Sequence, residues 1–500
     1  MNYFFKIILL SACLWSTTTQ ATDKPNIILV LVDDMGWRDV GFMGNTFVET
    51  PTLDKLAHEG LVFTNAYSNA PNCAPSRAAI MSGQYAPRTD VYTMIKGDMG
   101  DARLRRVLTP ENKMYLEPAV ITIAEMLRSA GYQTAHIGKW NLGSGAVRGP
   151  LGQGFDMNVA GERNGTPPNG YFAPYDLPGL ENAPKGEYLT DRLSQEAVNY
   201  IKQSNESKPF FIYLAHFAPH FPFQAPETLV EKYKHKKSTM MPNAQSQDET
   251  YAAMVDSIDQ GMEKIIRALK EKKRDQNTLI IFTSDNGGYE PLSYMHPLRG
   301  EKSLLYEGGI RVPLMLWWPG HISLHTSDEP VIGIDLFPTL MKAAGVASVN
   351  QPLDGNDLSP LFVRQNALTR DALYWYFPGY VAGNNEKAAD EIFQQRPAAV
   401  IREGDWKFIQ YLDSNKTELY NLKTDPSESI NLASQQLEKQ QALAKQLNDW
   451  LVKMKTPLPL AVNPQYDAAY EEQYKQSWIR KWRVKLSHTR FGELFRENDL

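Results

Sequence analysis

The chain has 500 residues, more than one hydrophobic core usually holds, so we expect a large domain and a smaller one. Its composition of 42% hydrophobic, 22% charged and 11% aromatic residues is typical of a folded protein and excludes disordered, fibrous and coiled-coil classes. The formal net charge of -5 is too small to indicate binding to nucleic acid or to an anionic membrane, so attraction for an anionic substrate must come from a local cluster of basic residues.

The N-terminus predicts an export signal over residues 1–21. A basic residue precedes an apolar run at residues 7–15, and the polar stretch after it ends in Ala21, a suitable cleavage point. The run is too short to cross a bilayer as a helix, so we expect a periplasmic or secreted protein. Lipid anchoring is an alternative, because the residues up to Cys13 resemble a bacterial lipobox. Without the signal, the mature chain keeps only Cys73 and can form no internal disulfide.

Four apolar runs predict buried parallel strands, and each run ends in polar residues that a core does not need. The runs are residues 26–32 before Asp33 and Asp34, 132–137 before Lys139, 209–214 before His216 and His220, and 278–284 before Asp285 and Asn286. Helical patterns lie at residues 52–58, 121–130, 190–203, 250–272 and 334–344. Strands that alternate with helices predict an α/β fold with a mostly parallel sheet covered on both faces. Because ligands bind beyond the carboxyl ends of such strands, the polar residues predict one shared site.

The pattern changes near residue 375, where short strands with turns between them replace this alternation. The predicted strands cover residues 398–402, 406–411 and 418–421, and a helix follows at 434–454. These elements indicate a smaller antiparallel sheet with a packed helix. We therefore divide the mature chain into a large domain at 22–375 and a C-terminal subdomain at 376–500. The aromatic residues after residue 457 predict that the tail packs on the body.

The residues around Cys73 predict a place where negative charge is favoured. Pro75 and the serine after it are typical helix-starting residues, and residues 76–82 predict a short helix. Cys73 is then expected just before a helix N-terminus, where backbone N–H groups and the helix dipole stabilise anions. Arg77 adds a permanent cation. A lone cysteine is more often a buried small hydrophobic residue, but these neighbours favour a chemical role.

The sequence Cys-Ala-Pro-Ser-Arg at residues 73–77 resembles the signature of type I sulfatases, in which the cysteine is oxidised to formylglycine before or during export. Further segments resemble blocks of the family in the same order, and they lie at residues 25–34, 138–140, 219–220, 284–287, 300–302, 306–311 and 419–426. The resemblance runs from residue 24 to residue 455. It implies an alkaline-phosphatase-like fold, sulfatase activity, and a formylglycine-generating enzyme as the partner that modifies Cys73.

Hard oxygen ligands follow two of the predicted strands, namely Asp33, Asp34, Asp285 and Asn286. They suit Ca2+ or Mg2+ and not zinc, which favours combinations of cysteine and histidine. Because Ca2+ takes about 6–8 oxygens, positions remain for residue 73 and for a sulfate oxygen. The resemblance favours one calcium ion over magnesium, held by these four residues and by the modified Cys73.

The resemblance also implies a covalent mechanism. Hydrated formylglycine at position 73 attacks sulfur and expels the substrate alcohol, which leaves a formylglycine-sulfate intermediate. A second hydroxyl on the same carbon then permits release of sulfate. In this mechanism Arg77 holds the nucleophile, while Lys139 and Lys302 bind and neutralise the sulfate oxygens. His220 protonates the leaving alcohol.

One position departs from the family pattern. The family usually reads Gly-Lys-Trp-His-Leu-Gly, and this chain has Asn141 in place of the histidine, which generally contacts or deprotonates the formylglycine hydroxyl. Asparagine can form hydrogen bonds but cannot act as a base at neutral pH. His136 lies nearby in sequence, and His216 is an alternative to His220. The departure leaves a non-catalytic binder of sulfated glycans as an alternative function.

A phosphatase or phosphodiesterase on the same fold is a further alternative, which the cysteine at position 73 and the single cation site disfavour. The turn-rich residues 161–171 are expected to set specificity, as loops at strand ends usually do. This segment resembles loops of bacterial polysaccharide sulfatases. We therefore expect a sulfated polysaccharide or oligosaccharide that contains galactose or galactosamine as the substrate, and a role in polysaccharide degradation.

Overall fold

The computed structural model describes residues 24–94, 97–240, 248–364, 367–383 and 392–487, with side chains up to residue 477. The predicted signal peptide and Cys13 lie outside these residues. The strands are β1 (Asn26–Val32), β2 (Leu61–Phe63), β3 (Ala66–Tyr67), β4 (Gln133–Gly138), β5 (Met157–Val159), β6 (Phe210–Ala215), β7 (Thr278–Ser284), β8 (Leu314–Trp317), β9 (His325–Ser327), β10 (Val331–Ile332), β11 (Leu373–Phe377), β12 (Val381–Ala382), β13 (Phe393–Gln395), β14 (Ala398–Glu403), β15 (Trp406–Tyr411) and β16 (Thr417–Asn421).

The helices are α1 (Pro51–Glu59), α2 (Cys73–Ser82), α3 (Ala86–Thr89), α4 (Ile123–Ser129), α5 (Gly145–Arg148), α6 (Leu189–Gln203), α7 (Glu227–Thr239), α8 (Glu249–Glu271), α9 (Glu307–Ile310), α10 (Leu336–Ala343), α11 (Leu437–Lys453) and α12 (Ala468–Ser487). Within the part of the chain that the structure describes, no helix combines the length and the apolar character of a membrane span.

Eight strands form the central sheet in the order β5-β4-β6-β1-β7-β8-β2-β9. The five strands from β5 to β7 run parallel, and Ile28 of β1 lies opposite Ile212 of β6 and Ile280 of β7. Strand β8 runs antiparallel to both β7 and β2. The expected α/β fold with a mostly parallel sheet is confirmed.

Alternate residues of β1 enter two separate hydrophobic cores. Ile28 and Val30 pack with buried residues of α1, α6 and α8 on one face of the sheet. Ile27 and Leu29 pack with residues of α2, α4 and α10 on the other face. Because side chains of a strand point alternately to the two faces, burial on both sides requires an unbroken apolar run. Burial of each such side chain contributes about 1.5–3 kcal/mol to the stability of the folded state. The sheet therefore holds the residues at its edge in fixed positions.

A smaller antiparallel sheet follows in the order β11-β14-β15-β16, with α11 packed against it. The expected antiparallel sheet with a helix is therefore present. Its first strand, β11, was not predicted from the sequence. Residue 375 lies inside this strand, and the domain division at 22–375 and 376–500 remains a prediction. The tail joins the body through backbone hydrogen bonds, among them Leu108 N to the oxygen of Ala461 at 2.8 Å.

One difference from the predicted elements affects the chemistry. The helix expected at residues 76–82 begins a turn earlier, so Cys73 is its first residue and does not precede it. Asn72 takes an extended conformation before the helix. Pro75 fits in the first turn because its missing N–H would have no intrahelical partner there.

Candidate active site

The carboxyl ends of three strands in the central sheet carry most of the predicted site. Asp33 and Asp34 follow β1, Lys139 follows β4, and Asp285 and Asn286 follow β7. All five residues are buried, and only Asp34 has measurable exposure, at 5%. The parallel pairing of the strands brings these ends to one edge of the sheet.

At this edge of the sheet, two glycines allow two backbone segments to lie close to each other. A Cβ added to Gly138, directly before the site lysine, would lie 1.9 Å from the carbonyl oxygen of Ala215. A Cβ added to Gly287, directly after the site asparagine, would lie 2.0 Å from the carbonyl oxygen of Gly308. Any other residue would clash with backbone at either position, so the site geometry requires glycine there.

Cys73 occupies the first position of α2 and is 1% exposed. Burial, partly opposed by the charges of Lys139 and Lys302, raises the pKa of its thiol to about 12. The unmodified thiol is therefore protonated at neutral pH and is a poor nucleophile. Its Sγ atom occupies the place of the oxygen that formylglycine would carry at this position.

Each carboxylate of the site contacts a cation. The three pairs are Lys139 Nζ with Asp33 Oδ2 at 2.6 Å, Lys302 Nζ with Asp34 Oδ2 at 2.6 Å, and Arg77 Nη2 with Asp285 Oδ2 at 2.8 Å. Positive and negative charges of these side chains therefore balance. A bound divalent cation would make the site positive, which suits an anionic sulfate ester.

The arrangement of ligand atoms fits a hard cation. One ligand atom each of Asp33, Asp34, Cys73 and His220 lies within 4.8 Å of all the others. Oδ1 of Asp33 and Oδ1 of Asn286 are buried and have no hydrogen-bond partner in the described part of the chain. Buried oxygens rarely lack a partner unless an ion or water satisfies them, and oxygen donors suit Ca2+ or Mg2+.

Asp33 and Asp285 follow the neighbouring strands β1 and β7, and burial and the charges around them shift their pKa values in opposite directions. Burial alone would raise the pKa of Asp33, but the charges of Lys139, His220 and Arg77 outweigh it and hold this pKa well below its ordinary value. Burial, reinforced by the charge of Asp33, raises the pKa of Asp285 to about 7. Asp33 is therefore the firmly ionised member of the pair and the stronger anionic ligand.

His220 reaches the cluster, whereas no hydrogen bond or ion pair among the described residues links the His216 ring to it. Nε2 of His220 lies 3.4 Å from Oδ2 of Asp34, and Nδ1 lies 2.7 Å from the carbonyl oxygen of Phe221. A carbonyl can only accept a hydrogen bond, so Nδ1 carries the proton and Nε2 faces the site. Both ring nitrogens of His216 are buried without a partner among the described residues, and burial lowers the pKa of this imidazole to about 3.

His136 does not face the carboxylate cluster. Its ring packs edge-on against Trp140, Phe155 and Tyr213, and its Nδ1 lies 3.0 Å from Oδ1 of Asn158. Burial lowers the pKa of this imidazole to about 3, so it is neutral at physiological pH. It therefore does not replace the histidine that the family usually carries at position 141.

Supporting contacts beneath the site were missed by the sequence analysis. Tyr251 donates a hydrogen bond to Asp39 at 2.6 Å, and its hydroxyl lies 3.4 Å from the carbonyl oxygen of Asp34. Gln394 of the C-terminal part donates to the carbonyl oxygen of Lys302 at 3.2 Å. These pairs join residues far apart in the sequence, and no local pattern marks them.

Two family models match most of the chain. The sulfatase family model matches residues 25–346. A second model, described as the C-terminal part of N-sulphoglucosamine sulphohydrolase, matches residues 300–456. Together the two matches span both sheets and every predicted site residue.

Individual relatives extend over most of the chain. A sulfatase of Formosa agariphila is 33% identical over 91% of this chain and 95% of its own length. Human N-acetylgalactosamine-6-sulfatase is 34% identical over 71% of this chain and 69% of its own length. A solved structure of Ps i-CgsB in complex with k-i-k-neocarrahexaose is 29% identical, with a TM-score of 0.70, and the match covers 93% of this chain and 100% of that one. The chain therefore belongs to the sulfatase family of sulfuric ester hydrolases.

Proposed function

We propose that this sulfatase hydrolyses sulfate esters on a polysaccharide or oligosaccharide that contains galactose or galactosamine, with formylglycine at position 73 and one calcium ion. The position of Cys73 carries the proposal, because it begins a buried helix beside the oxygen cluster and the cations Lys139, Lys302 and Arg77. The thiol is too weakly acidic to react as it stands, which supports its conversion by a formylglycine-generating enzyme. Hydrated formylglycine supplies two hydroxyls on one carbon, one to attack sulfur and one to permit sulfate release.

The cations of the site hold the sulfate group and the charge that develops on it. Lys139 and Lys302 each contact one carboxylate, and an ammonium group has further N–H donors for sulfate oxygens. Arg77 and the N-terminus of α2 stabilise negative charge at position 73. When both of its ring nitrogens carry a proton, His220 donates the proton on Nε2, the nitrogen that faces the site, to the leaving alcohol.

Five residues would hold the cation, namely Asp33, Asp34, residue 73, Asp285 and Asn286. When bound, the ion polarises the sulfate ester and favours its cleavage. Calcium fits better than magnesium, because Mg2+ keeps several of its waters while Ca2+ accepts many protein oxygens in a flexible arrangement. The unpartnered oxygens of Asp33 and Asn286 supply two of these ligands.

Two comparisons support a carbohydrate substrate. One relative is named for N-acetylgalactosamine 6-sulfate, and one solved structure holds a neocarrahexaose. The signal pattern at residues 1–21 supports export to the periplasm or medium, with lipid anchoring at Cys13 as the alternative. An exported enzyme would meet polysaccharides that cannot enter the cell.

Sulfate release from sulfated galactan and N-acetylgalactosamine oligosaccharides tests the proposal. Protein made together with a formylglycine-generating enzyme should release sulfate, stop in EDTA, and recover more fully with calcium than with magnesium. Cys73→Ala should reduce release to background, because no nucleophile remains, while the exposed control Glu263→Ala should retain it. Release that persists in Cys73→Ala, or activity on phosphate esters alone, would contradict the proposal.

A further inference from the structure

The loop at residues 161–171, called here the substrate loop, is attached to two of the three segments that carry proposed substrate-binding residues, those of Lys139 and His220. Its first residues contact Asn141, which lies two positions after Lys139. Its last residue, Tyr171, contacts the backbone of His220. The loop therefore connects two sides of the site through contacts at its ends.

The first attachment consists of two hydrogen bonds from Asn141 to successive carbonyl groups. The backbone N–H of Asn141 donates to the oxygen of Glu162 at 2.9 Å, and its side-chain Nδ2 donates to the oxygen of Arg163 at 2.9 Å. Gly165 packs beside this amide, since a Cβ added there would lie 3.5 Å from Nδ2. Asn141 has a φ of 60°, a left-handed conformation that asparagine adopts more readily than most residues.

Hydrogen bonds with the partly buried Asn158 support the start of the loop. Asn158 accepts a hydrogen bond from the N–H of Gly161 at 3.1 Å and donates to the oxygen of Gly161 at 3.1 Å. The Oδ1 atom of Asn158 also lies 3.0 Å from Nδ1 of His136. His136 thus contributes to the shape of the loop, which accounts for a buried imidazole that does not face the site.

The second attachment is formed by Tyr171, which is fully buried. Its hydroxyl donates to the carbonyl oxygen of His220 at 2.8 Å, and its N–H donates to Oε1 of Gln224 at 2.8 Å. Within the loop, Arg163 and Asn169 are exposed. Amide and guanidinium groups of this kind can bind the hydroxyl and anionic groups of a sugar.

We propose that Asn141 is a positioning residue that holds the substrate loop against the site and so sets the affinity for the sugars beyond the scissile sulfate. The inference rests on the proposed function. The Nδ2 atom is occupied by the loop, and a neutral amide cannot take up a proton. Asn141 therefore replaces the family histidine with a structural contact. Extended substrates that touch the loop depend on this contact, whereas a small sulfate ester that ends near Lys139 does not reach it.

Two variants separate the hydrogen bond from the backbone conformation. Asn141→Asp keeps the shape but loses the donor to Arg163, and Asn141→Gly keeps the tolerance for positive φ without any side chain. Loss of one hydrogen bond that orders the loop should raise KM for a sulfated galactan oligosaccharide by about tenfold in both variants. The change in kcat, and the change in KM for para-nitrophenyl sulfate, should be several times smaller. Asn356 supplies matched controls, Asn356→Asp and Asn356→Gly, because its amide donates to the backbone of Thr369 at 3.3 Å in another part of the chain.

Amide hydrogen exchange gives a readout that does not depend on activity. Both Asn141 variants should exchange faster than the wild type within residues 161–171, and no faster within the central strand β1. Unchanged exchange in this loop, or an equal fall of kcat on both substrates, would overturn the positioning role. If the wild type releases sulfate from neither substrate, the proposed function fails, and the exchange result alone then decides whether Asn141 holds the loop.

Discussion

At the scale of single residues, the two lysines of the site differ in how deeply their ion pairs are buried. Lys139 and Asp33 have no exposed side-chain area, whereas Lys302 and Asp34 are 11% and 7% exposed. Removing one partner of a fully buried pair leaves an unpaired charge and costs about 3–5 kcal/mol. We expect Lys139→Ala to lower the free energy of unfolding by this amount and Lys302→Ala to lower it less, as measured by urea unfolding in EDTA.

Both variants should also lose most sulfate release, because each removes a cation beside the sulfate position. Lys55→Ala, at an exposed position on α1, serves as the control and should leave stability and activity unchanged. Equal, small losses of stability in the Lys139 and Lys302 variants would show that depth of burial does not separate the two pairs.

The sequence could predict which residues gather at the site because most of them directly follow buried strands or lie in recognisable motifs. It could not predict the pairing of charges. Lys302 lies on a loop whose position depends on a contact from Gln394, 92 residues away in the chain. Nor could it predict that Asn141 contacts the carbonyl of Arg163, because that contact requires an unusual φ and a particular loop shape.

At the scale of elements, the start of α1 depends on a side chain from another helix. Asp259 in α8 accepts hydrogen bonds from the N–H of Thr52 at 3.0 Å and from the N–H of Leu53 at 2.8 Å. N–H groups in a first turn have no intrahelical partner. We expect Asp259→Ala to lower the free energy of unfolding by about 1–3 kcal/mol, while Glu263→Ala, exposed on the same helix, should change it little.

Titration of the Asp259 carboxyl group makes the stability lost in Asp259→Ala depend on pH. Burial raises the pKa of Asp259 from 3.8 to about 6. Between these values the folded protein binds the proton more tightly than the unfolded chain, so the stability that the group contributes falls as pH rises. The loss of unfolding free energy in Asp259→Ala should therefore be larger near pH 4 than near pH 7. A loss that grows with pH would contradict this assignment.

Sequence patterns predicted the long elements better than the short ones. The strands at residues 26–32 and 278–284 were predicted with the bounds that the structure has, because their apolar runs end abruptly at polar residues. The start of α2 was missed by three residues, since neither Cys73 nor Ala74 is a typical helix start. Strand β2 has three residues and gives no pattern of its own.

At the scale of the whole molecule, a group of ion pairs joins the tail to the body. Glu471 in α12 contacts Arg106 at 2.9 Å and Arg396 at 3.1 Å. Hydrogen bonds between charged groups contribute about 1.5–3 kcal/mol. Glu471→Ala should lower the free energy of unfolding by about this amount in urea, because it leaves Arg396 with one fewer acceptor. Glu472→Ala, exposed at the next position, is the control, and an equal effect of both variants would contradict a specific role for Glu471.

The order of strands in the central sheet shows where prediction from the sequence stops. The four adjacent parallel strands β4, β6, β1 and β7 could be predicted, because their sequences are continuous apolar runs. Such runs require burial on both faces of a sheet. The antiparallel placement of β8, the position of β2 beside it and the edge position of β9 depend on pairings between distant segments, such as Leu61 with Leu316. The smaller sheet was predicted except for β11, whose aromatic residues Trp375 and Tyr376 pack against Tyr67 and Tyr92.

The proposed function requires that Cys73 is converted to formylglycine and that the converted residue is the nucleophile. Mass spectrometry of the peptide that contains residue 73, after expression with a formylglycine-generating enzyme, tests it most directly. We predict the mass of an aldehyde in place of the thiol, and sulfate release in proportion to the converted fraction. An unmodified thiol in protein that still releases sulfate, or full conversion without any release, would contradict the account.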